Sequence, residues 1–274
     1  MHTTFSDGTM TPEEIIALAR EKKLRYIAIT DHDTVEGITY LYEEGLYPTK
    51  GIGIIPGIEF SAENPNHEVH ILGYNIDIYQ RELNDRLNDV GEARWTRFAQ
   101  IIEKLKTIGY PISETEVLQI AGDSRSISRS HIARVLVSKG FFPTVSEAYD
   151  TLLTRGKEAY VSHYRLSVEE VLRLIHNAGG ISVLAHPKLI GDDSLVESLL
   201  RKGFDGIEAY YPKHSEEDTN RYLQLAEKHG LLVTGGSDFH GANNPRYPGD
   251  LGLFVIDDKI GEELYRPIKG HTYA

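Results

Sequence analysis

Short apolar runs alternate with amphipathic stretches through the first 79 residues and again from residue 161 onward. Residues 11–23 read as a helix. Thr11 suits the N-cap, Pro12 the first helical position, and Glu13 and Glu14 the positive helix end. Ile15, Ile16, Leu18 and Ala19 give that helix one apolar face. Arg25–Thr30 is a short apolar run of the buried-strand kind, and Asp31-His32-Asp33 follows it at once. The same grammar recurs. Ile52–Phe60 predicts a strand carrying Glu59, and Glu68–Ile76 one carrying His70. Ser167–Asn177 predicts a helix closed by Gly179-Gly180, before a strand at Ile181–Ala185 that runs into His186-Pro187. Gly206–Tyr210, Leu231–Thr234 and Leu251–Ile256 are further strands, and the second of these leads into Gly235-Gly-Ser-Asp-Phe-His240.

Strands alternating with helices imply an α/β fold with a parallel sheet, open or closed into a barrel. In both cases chemistry collects at the C-terminal ends of strands, where the polar motifs of this chain fall. Residues 80–160 break the alternation. They read as helices at 80–108, 113–121, 128–139 and 144–153, a helical insertion between two halves of the sheet at 1–79 and 161–274.

The chain has 274 residues, 40% hydrophobic and 26% charged, enough for one large domain. No apolar run reaches the ~18–20 residues that span a bilayer, so no membrane partner is expected. MHTTFSDG lacks the basic and apolar regions of a signal peptide, and the expected location is cytoplasmic. With no cysteine, disulfides, thiolate nucleophiles and Cys-ligated metals are excluded. The net charge of −12 argues against binding long duplex DNA. Residues 81–160 nevertheless hold 12 Lys/Arg against 11 Asp/Glu, so the acidity lies in the remainder.

The chain has twelve histidines. His67, His163, His176, His214, His229 and His271 stand outside any motif. His2, His32, His70, His186 and His240 lie at or near predicted strand ends beside carboxylates or glycines. Adding Asp7, Glu59 and Asp238 gives a donor set of imidazole and carboxylate without thiolate, which suits Zn, Mn or Fe. Eight ligands exceed one tetrahedral ion and match two or three ions sharing carboxylates.

Each motif is weak alone. In this order they resemble the PHP family, named for polymerase and histidinol phosphatase. The matching segments are His2-Thr-Thr-Phe-Ser-Asp-Gly8, Thr30-Asp-His-Asp33, Pro56-Gly-Ile-Glu59, His70-Ile-Leu-Gly73, Ala185-His-Pro187 and Gly236-Ser-Asp-Phe-His240. The resemblance implies a distorted (β/α)7 barrel with a metal site at the C-terminal strand ends. His2, Asp7, His32, Glu59, His70, His186, Asp238 and His240 would be ligands and Glu59 a bridge. Asp7, Glu59, Asp238 and His240 are the expected catalytic residues. The family opens with Asp-Leu-His-x-His, and this sequence starts at the x, so the first paired histidine is not in it. An impaired, metal-binding PHP module is therefore one expectation to test.

Arg129-Ser-His131-Ile-Ala-Arg-Val-Leu136 and Ala159-Tyr-Val161 resemble the small stand-alone PHP phosphoesterases. Those hydrolyse nucleotide 3′,5′-bisphosphates or trim short oligonucleotides from the 5′ end, as an exonuclease does. The expected substrate is thus a small phosphorylated nucleotide or short oligonucleotide, bound in part by Arg129, His131 and Arg134. Arg125, Arg129, Arg134 and Lys139 face one acid, Asp123, over residues 121–140, and such cations can grip phosphate. The bland alternative is a solvated helix face. The expected reaction is a hydrolase's, attack of metal-activated water on phosphorus, with a metal-bound water or Asp33 as candidate general acid. Competing readings are a histidinol-phosphate phosphatase, a longer-range nuclease, and a DNA-binding regulator built on Ile127–Gly140 as half of a helix-turn-helix, which the net charge disfavours.

Overall fold

A computed structural model describes all residues except 65, 123, 125, 163, 243, 245–248, 255 and 266–274. The elements run α1 (Pro12–Glu21), β1 (Tyr26–Ile29), α2 (Glu36–Glu43), β2 (Gly53–Ala62), β3 (Val69–Tyr74), α3 (Arg81–Thr107), α4 (Glu114–Ala121), α5 (Arg129–Ser138) and α6 (Val145–Ala148). A π turn (Tyr149–Leu153), α7 (Val168–Asn177), β4 (Ile181–Leu184), a 3-10 turn (Pro187–Ile190), α8 (Asp193–Leu200), β5 (Gly206–Tyr210), α9 (Glu216–His229), β6 (Leu232–Gly235) and α10 (Asp258–Leu264) follow.

The six strands form one curled sheet in chain order. β1 pairs parallel with β2, and β4, β5 and β6 are mutually parallel. β3 runs antiparallel to both β2 and β4, which corrects the expectation of an all-parallel sheet. The reason is local: no helix separates β2 from β3, and a six-residue connection returns the chain as a hairpin. Leu251–Phe254 are turn and bend rather than the expected strand, and Val255 lies outside the described residues. Met1 and His2 sit where the two sheet ends approach. Thr30 N–H donates to the Met1 carbonyl (2.9 Å) and His2 N–H to the Phe239 carbonyl (2.8 Å).

One apolar core lies between the sheet and α1, α2, α7, α8 and α9, with Ile15, Ile29, Ile58, Ile71, Leu174 and Tyr222 fully buried. Residues 98–159 bury a separate cluster, including Phe98, Ile102, Leu105, Leu136 and Leu153. Thr11 caps α1 in a capping box with Glu14, and Ser128 caps α5 with His131 at N3. Among the described residues no helix is long and apolar enough to cross a membrane.

Candidate functional site

The turns after β1, β4 and β6 carry His32, His186 and Asp238, and β2 and β3 carry Glu59 and His70. Three of these turns hold a non-glycine residue at positive φ: Asp33 (51°), His186 (26°) and Asp238 (48°). Left-handed backbone is costly for such residues and is kept where surrounding contacts over-determine it. Here those contacts are polar. His186 N–H donates to Glu208 (2.8 Å), and Asp33 N–H donates to the Glu59 carbonyl (3.0 Å).

Glu59, 2% exposed, is the centre of the cluster. Its Oε1 lies 2.6 Å from His70 Nδ1 and 3.1 Å from His186 Nε2, and its Oε2 lies 3.0 Å from His2 Nε2. His2 Nε2 is also 3.2 Å from Asp238 Oδ1, while Asp238 Oδ2 accepts from the Tyr211 hydroxyl (3.0 Å). Asp7 Oδ1 is 3.4 Å from His240 Nε2 and 3.9 Å from His32 Nε2. The turn bearing His2 and Asp7 is tied to buried Asp31, which accepts from Thr3 N–H (2.7 Å), Thr3 Oγ1 (2.7 Å) and Ser6 Oγ (2.5 Å). Gly8 belongs to this turn by necessity: a Cβ there would stand 2.3 Å from the His2 carbonyl oxygen.

Three groups of donors each converge within 4.8 Å: His2, Asp7, His32 and His240; His32, Glu59 and His70; and His2, Glu59 and Asp238. His2, His32 and Glu59 each belong to two of them, an arrangement suited to neighbouring cations. His186 stands outside the groups but touches Glu59. Asp7 Oδ1, His32 Nδ1 and His186 Nδ1 are buried and make no hydrogen bond among the described residues. Unmade bonds on buried polar atoms are expensive, and a divalent cation would complete them. The charge balance agrees. Burial opposes a charge on His2, yet Asp238 and Glu59 push its pKa up to about 10. Burial likewise opposes protonation of His186, and Glu59 still raises it to about 9. The carboxylates therefore demand positive charge at their centre.

The cluster opens into a cavity of about 260 Å³ whose other wall is cationic, with Arg94, Arg97, Arg129 and Arg165 lining it. Arg129 donates to Glu68 (2.7 Å) and to the Leu153 carbonyl (3.1 Å), and stands 4.8 Å over the Tyr149 ring. Arg165 approaches the same Glu68 oxygen at 3.4 Å. Arg97 donates through Nε to the Val161 carbonyl (2.8 Å), while its Nη2 and Arg165 Nε make no hydrogen bond among the described residues. Burial, then the charges of Arg129, Arg94 and Arg165, pull the Arg97 pKa below its ordinary value. The guanidinium stays charged near neutrality, so the crowding is a repulsion that an anion would relieve.

Residues 1–233 match the family model described as PHP domain. The chain belongs to the PHP family. A 5′-3′ exoribonuclease (Rnm) of Salmonella typhimurium is 35% identical over 244 residues, 87% of this chain and 83% of that protein. A 3′,5′-nucleoside bisphosphate phosphatase of Chromobacterium violaceum is 32% identical over 272 residues, 97% of this chain and 93% of that one. A crystal structure from Bifidobacterium adolescentis, named as a candidate metal-dependent phosphoesterase, superposes with a TM-score of 0.85 at 32% identity, covering 96% of this PHP chain and 93% of its own.

The substrate residues expected on the helical stretch of this PHP domain separate in space. Arg129 lines the cavity. His131 is 1% exposed and caps α5, its Nδ1 accepting from Ser128 N–H (3.1 Å). Burial lowers its pKa to about 4, so it carries no charge near neutrality. Ser128 in turn reaches Asp7 Oδ2 (3.4 Å), linking the helix cap to the cluster. Arg134 is partly buried and near Asp7 without lining the cavity. Arg125 and Asp123 lie outside the described residues. Asp33 is no proton donor. Burial raises its pKa, but the Arg94 guanidinium, paired to its Oδ2, and the Ser61 N–H (2.8 Å) more than offset this and hold it below the ordinary value. Sequence reasoning missed Arg94, Arg97, Arg165, Glu68 and Glu208, none of which belongs to a recognisable motif.

Proposed function

We propose that this chain is a metal-dependent hydrolase of nucleotide phosphate esters, taking 3′,5′-bisphosphates and the 5′ ends of short oligonucleotides. The observation that carries this reading is one cavity with two unlike walls, the Glu59-centred donor cluster facing Arg97, Arg129 and Arg165. A substrate with two phosphates on one ribose suits both walls at once, whereas histidinol phosphate has nothing for the second. The named relatives support the same substrate class.

In this reading two or three divalent ions (manganese, zinc or iron) are held by His2, Asp7, His32, Glu59, His70, His186, Asp238 and His240. When bound, they supply Lewis acidity toward the phosphate oxygens and acidify water for attack on phosphorus. Asp7, Glu59, Asp238 and His240 face the reacting phosphate and fix the ions against it. Tyr211 holds the Asp238 carboxylate, and Glu208 holds the His186 turn through its backbone. Arg129, helped by Arg97 and Arg165, takes the second phosphate through charge-assisted hydrogen bonds. His131 acts at one remove, fixing Ser128 beside Asp7, and Arg134 adds only positive potential. Met1 and His2 stand in the seventh position of a distorted (β/α)7 barrel. Residues 80–160 form a helical domain that caps it, inserted between 1–79 and 161–274.

The test is steady-state hydrolysis of adenosine 3′,5′-bisphosphate and of p-nitrophenyl phosphate with added manganese or zinc. A kcat/KM clearly higher for the bisphosphate is expected. Equal values would remove the two-wall argument, and no phosphate release from either, with metal bound, would leave a metal-binding module.

A further inference from the structure

A second cavity of about 350 Å³ lies between α3 and the turn after β1. Arg94 lines both cavities, so the two are neighbours. Their chemistry differs. The second has Val35 and Leu87 as apolar lining and Trp95 as a wall. Trp95 is 41% exposed although it is the largest apolar side chain in the protein. Ser126 lines the same space; it is 2% exposed, and its hydroxyl has no hydrogen-bond partner among the described residues. Apart from Arg94 the charges around this groove are carboxylates, Glu36 and Glu92 among them. They have the wrong sign for a phosphate and the right one for an amino group.

A flat aromatic wall, an apolar lining and a few polar groups at the edge match the two faces and the rim of a nucleobase. We propose that, when the substrate is a short oligonucleotide, this groove receives the base of the nucleoside on the 3′ side of the scissile phosphate. That nucleoside keeps the phosphate when the P–O3′ bond is hydrolysed. The inference rests on the reading given above. With the terminal 5′-phosphate among the guanidiniums and the scissile phosphate at the donor cluster, water adds to phosphorus and the 3′ oxygen of the first nucleoside leaves. The second nucleoside, still joined to that phosphate through its 5′ oxygen, extends past Arg94. Its base then stacks on Trp95, with Ser126 and Glu92 at its edge. A 3′,5′-bisphosphate is the same ligand with that nucleoside removed, so it leaves the groove empty.

Trp95 is the single tryptophan of the chain beside 16 tyrosines, so fluorescence of the unaltered, metal-loaded protein excited at the red edge, where tyrosine does not absorb, reports on it alone. A 5′-phosphorylated diadenylate with a phosphorothioate linkage should quench that fluorescence saturably, and adenosine 3′,5′-bisphosphate should not. Trp95→Ala should lower kcat/KM for 5′-phosphorylated diadenylate about tenfold relative to the bisphosphate, and Trp95→Phe should recover most of the loss. No quenching by the dinucleotide, equal quenching by both ligands, or equal kinetic losses on both substrates would overturn the inference. If the unaltered enzyme hydrolysed neither substrate, the reading of its activity would fall. The quenching experiment needs binding alone and would still decide the groove.

Discussion

The two walls of the main cavity are built in opposite ways. The donor wall is carried by strands, strand ends and the N-terminal turn that bears His2 and Asp7, and each of its groups sits within a short motif along the chain. The cationic wall is assembled from α3, α5 and the segment before α7, and its arginines share no motif. Mutual attraction holds the first wall together, with three imidazoles around one carboxylate. Like charges crowd the second, where among the described residues Glu68 is the acid bridging Arg129 and Arg165. A wall of paired groups is suited to holding cations permanently, and a wall of crowded cations to holding an anion in passing.

Glu59→Ala tests the first wall most severely. It removes the carboxylate shared by three histidines and should lower metal content and activity together, by more than ~100-fold. Full metal occupancy by elemental analysis would show that Glu59 is not shared. Arg94→Ala tests the seam between the walls. It leaves Asp33 charged and buried, at a cost of about 3–5 kcal/mol in denaturant unfolding. An unchanged midpoint would mean that water reaches this pair.

Arg129→Ala tests the second wall alone. Hydrolysis of a 3′,5′-bisphosphate should fall about 10- to 100-fold while p-nitrophenyl phosphate is nearly untouched. Equal losses on both would place Arg129 in the scaffold, through Glu68 and Leu153, and no loss would make the wall a solvated surface. The smallest effect is expected for Arg134→Ala, about twofold on the bisphosphate, because its charge acts without contact. A loss as large as that of Arg129 would move Arg134 into the cavity.

This asymmetry also governs what could be read in advance. Strand alternation disclosed most of the sheet, and the motifs pointed to His32, Glu59, His70 and Asp238, which the structure brings together, because a group at a strand end sits beside that strand in the sequence. His2, Asp7 and His240 join them, and His186 stands apart but touches Glu59. The reversal of β3 escaped because a hairpin of six residues looks like any polar interval. Arg94, Arg97 and Arg165 escaped because charged residues on a long helix and in a loop are ordinarily solvent-facing. The packing of α3 across Asp33 and Val161 turns Arg94 and Arg97 inward, and Glu68 draws Arg165 to the same wall. His131 reads in the sequence as a phosphate-binding partner of Arg129, but its place as the N3 partner of Ser128 depends on burial that no pattern disclosed.

The donors of the cluster come from residues 2 to 240, a span that includes every strand of the sheet. A bound cation would therefore act as a cross-link closing several long loops at once, and folding equilibrium and metal concentration become thermodynamically linked. At a free ion concentration of 100 times its dissociation constant, one site would add about 2.7 kcal/mol to the native state. Chelation should then lower the midpoint of thermal unfolding of the whole sheet, and not merely silence the site.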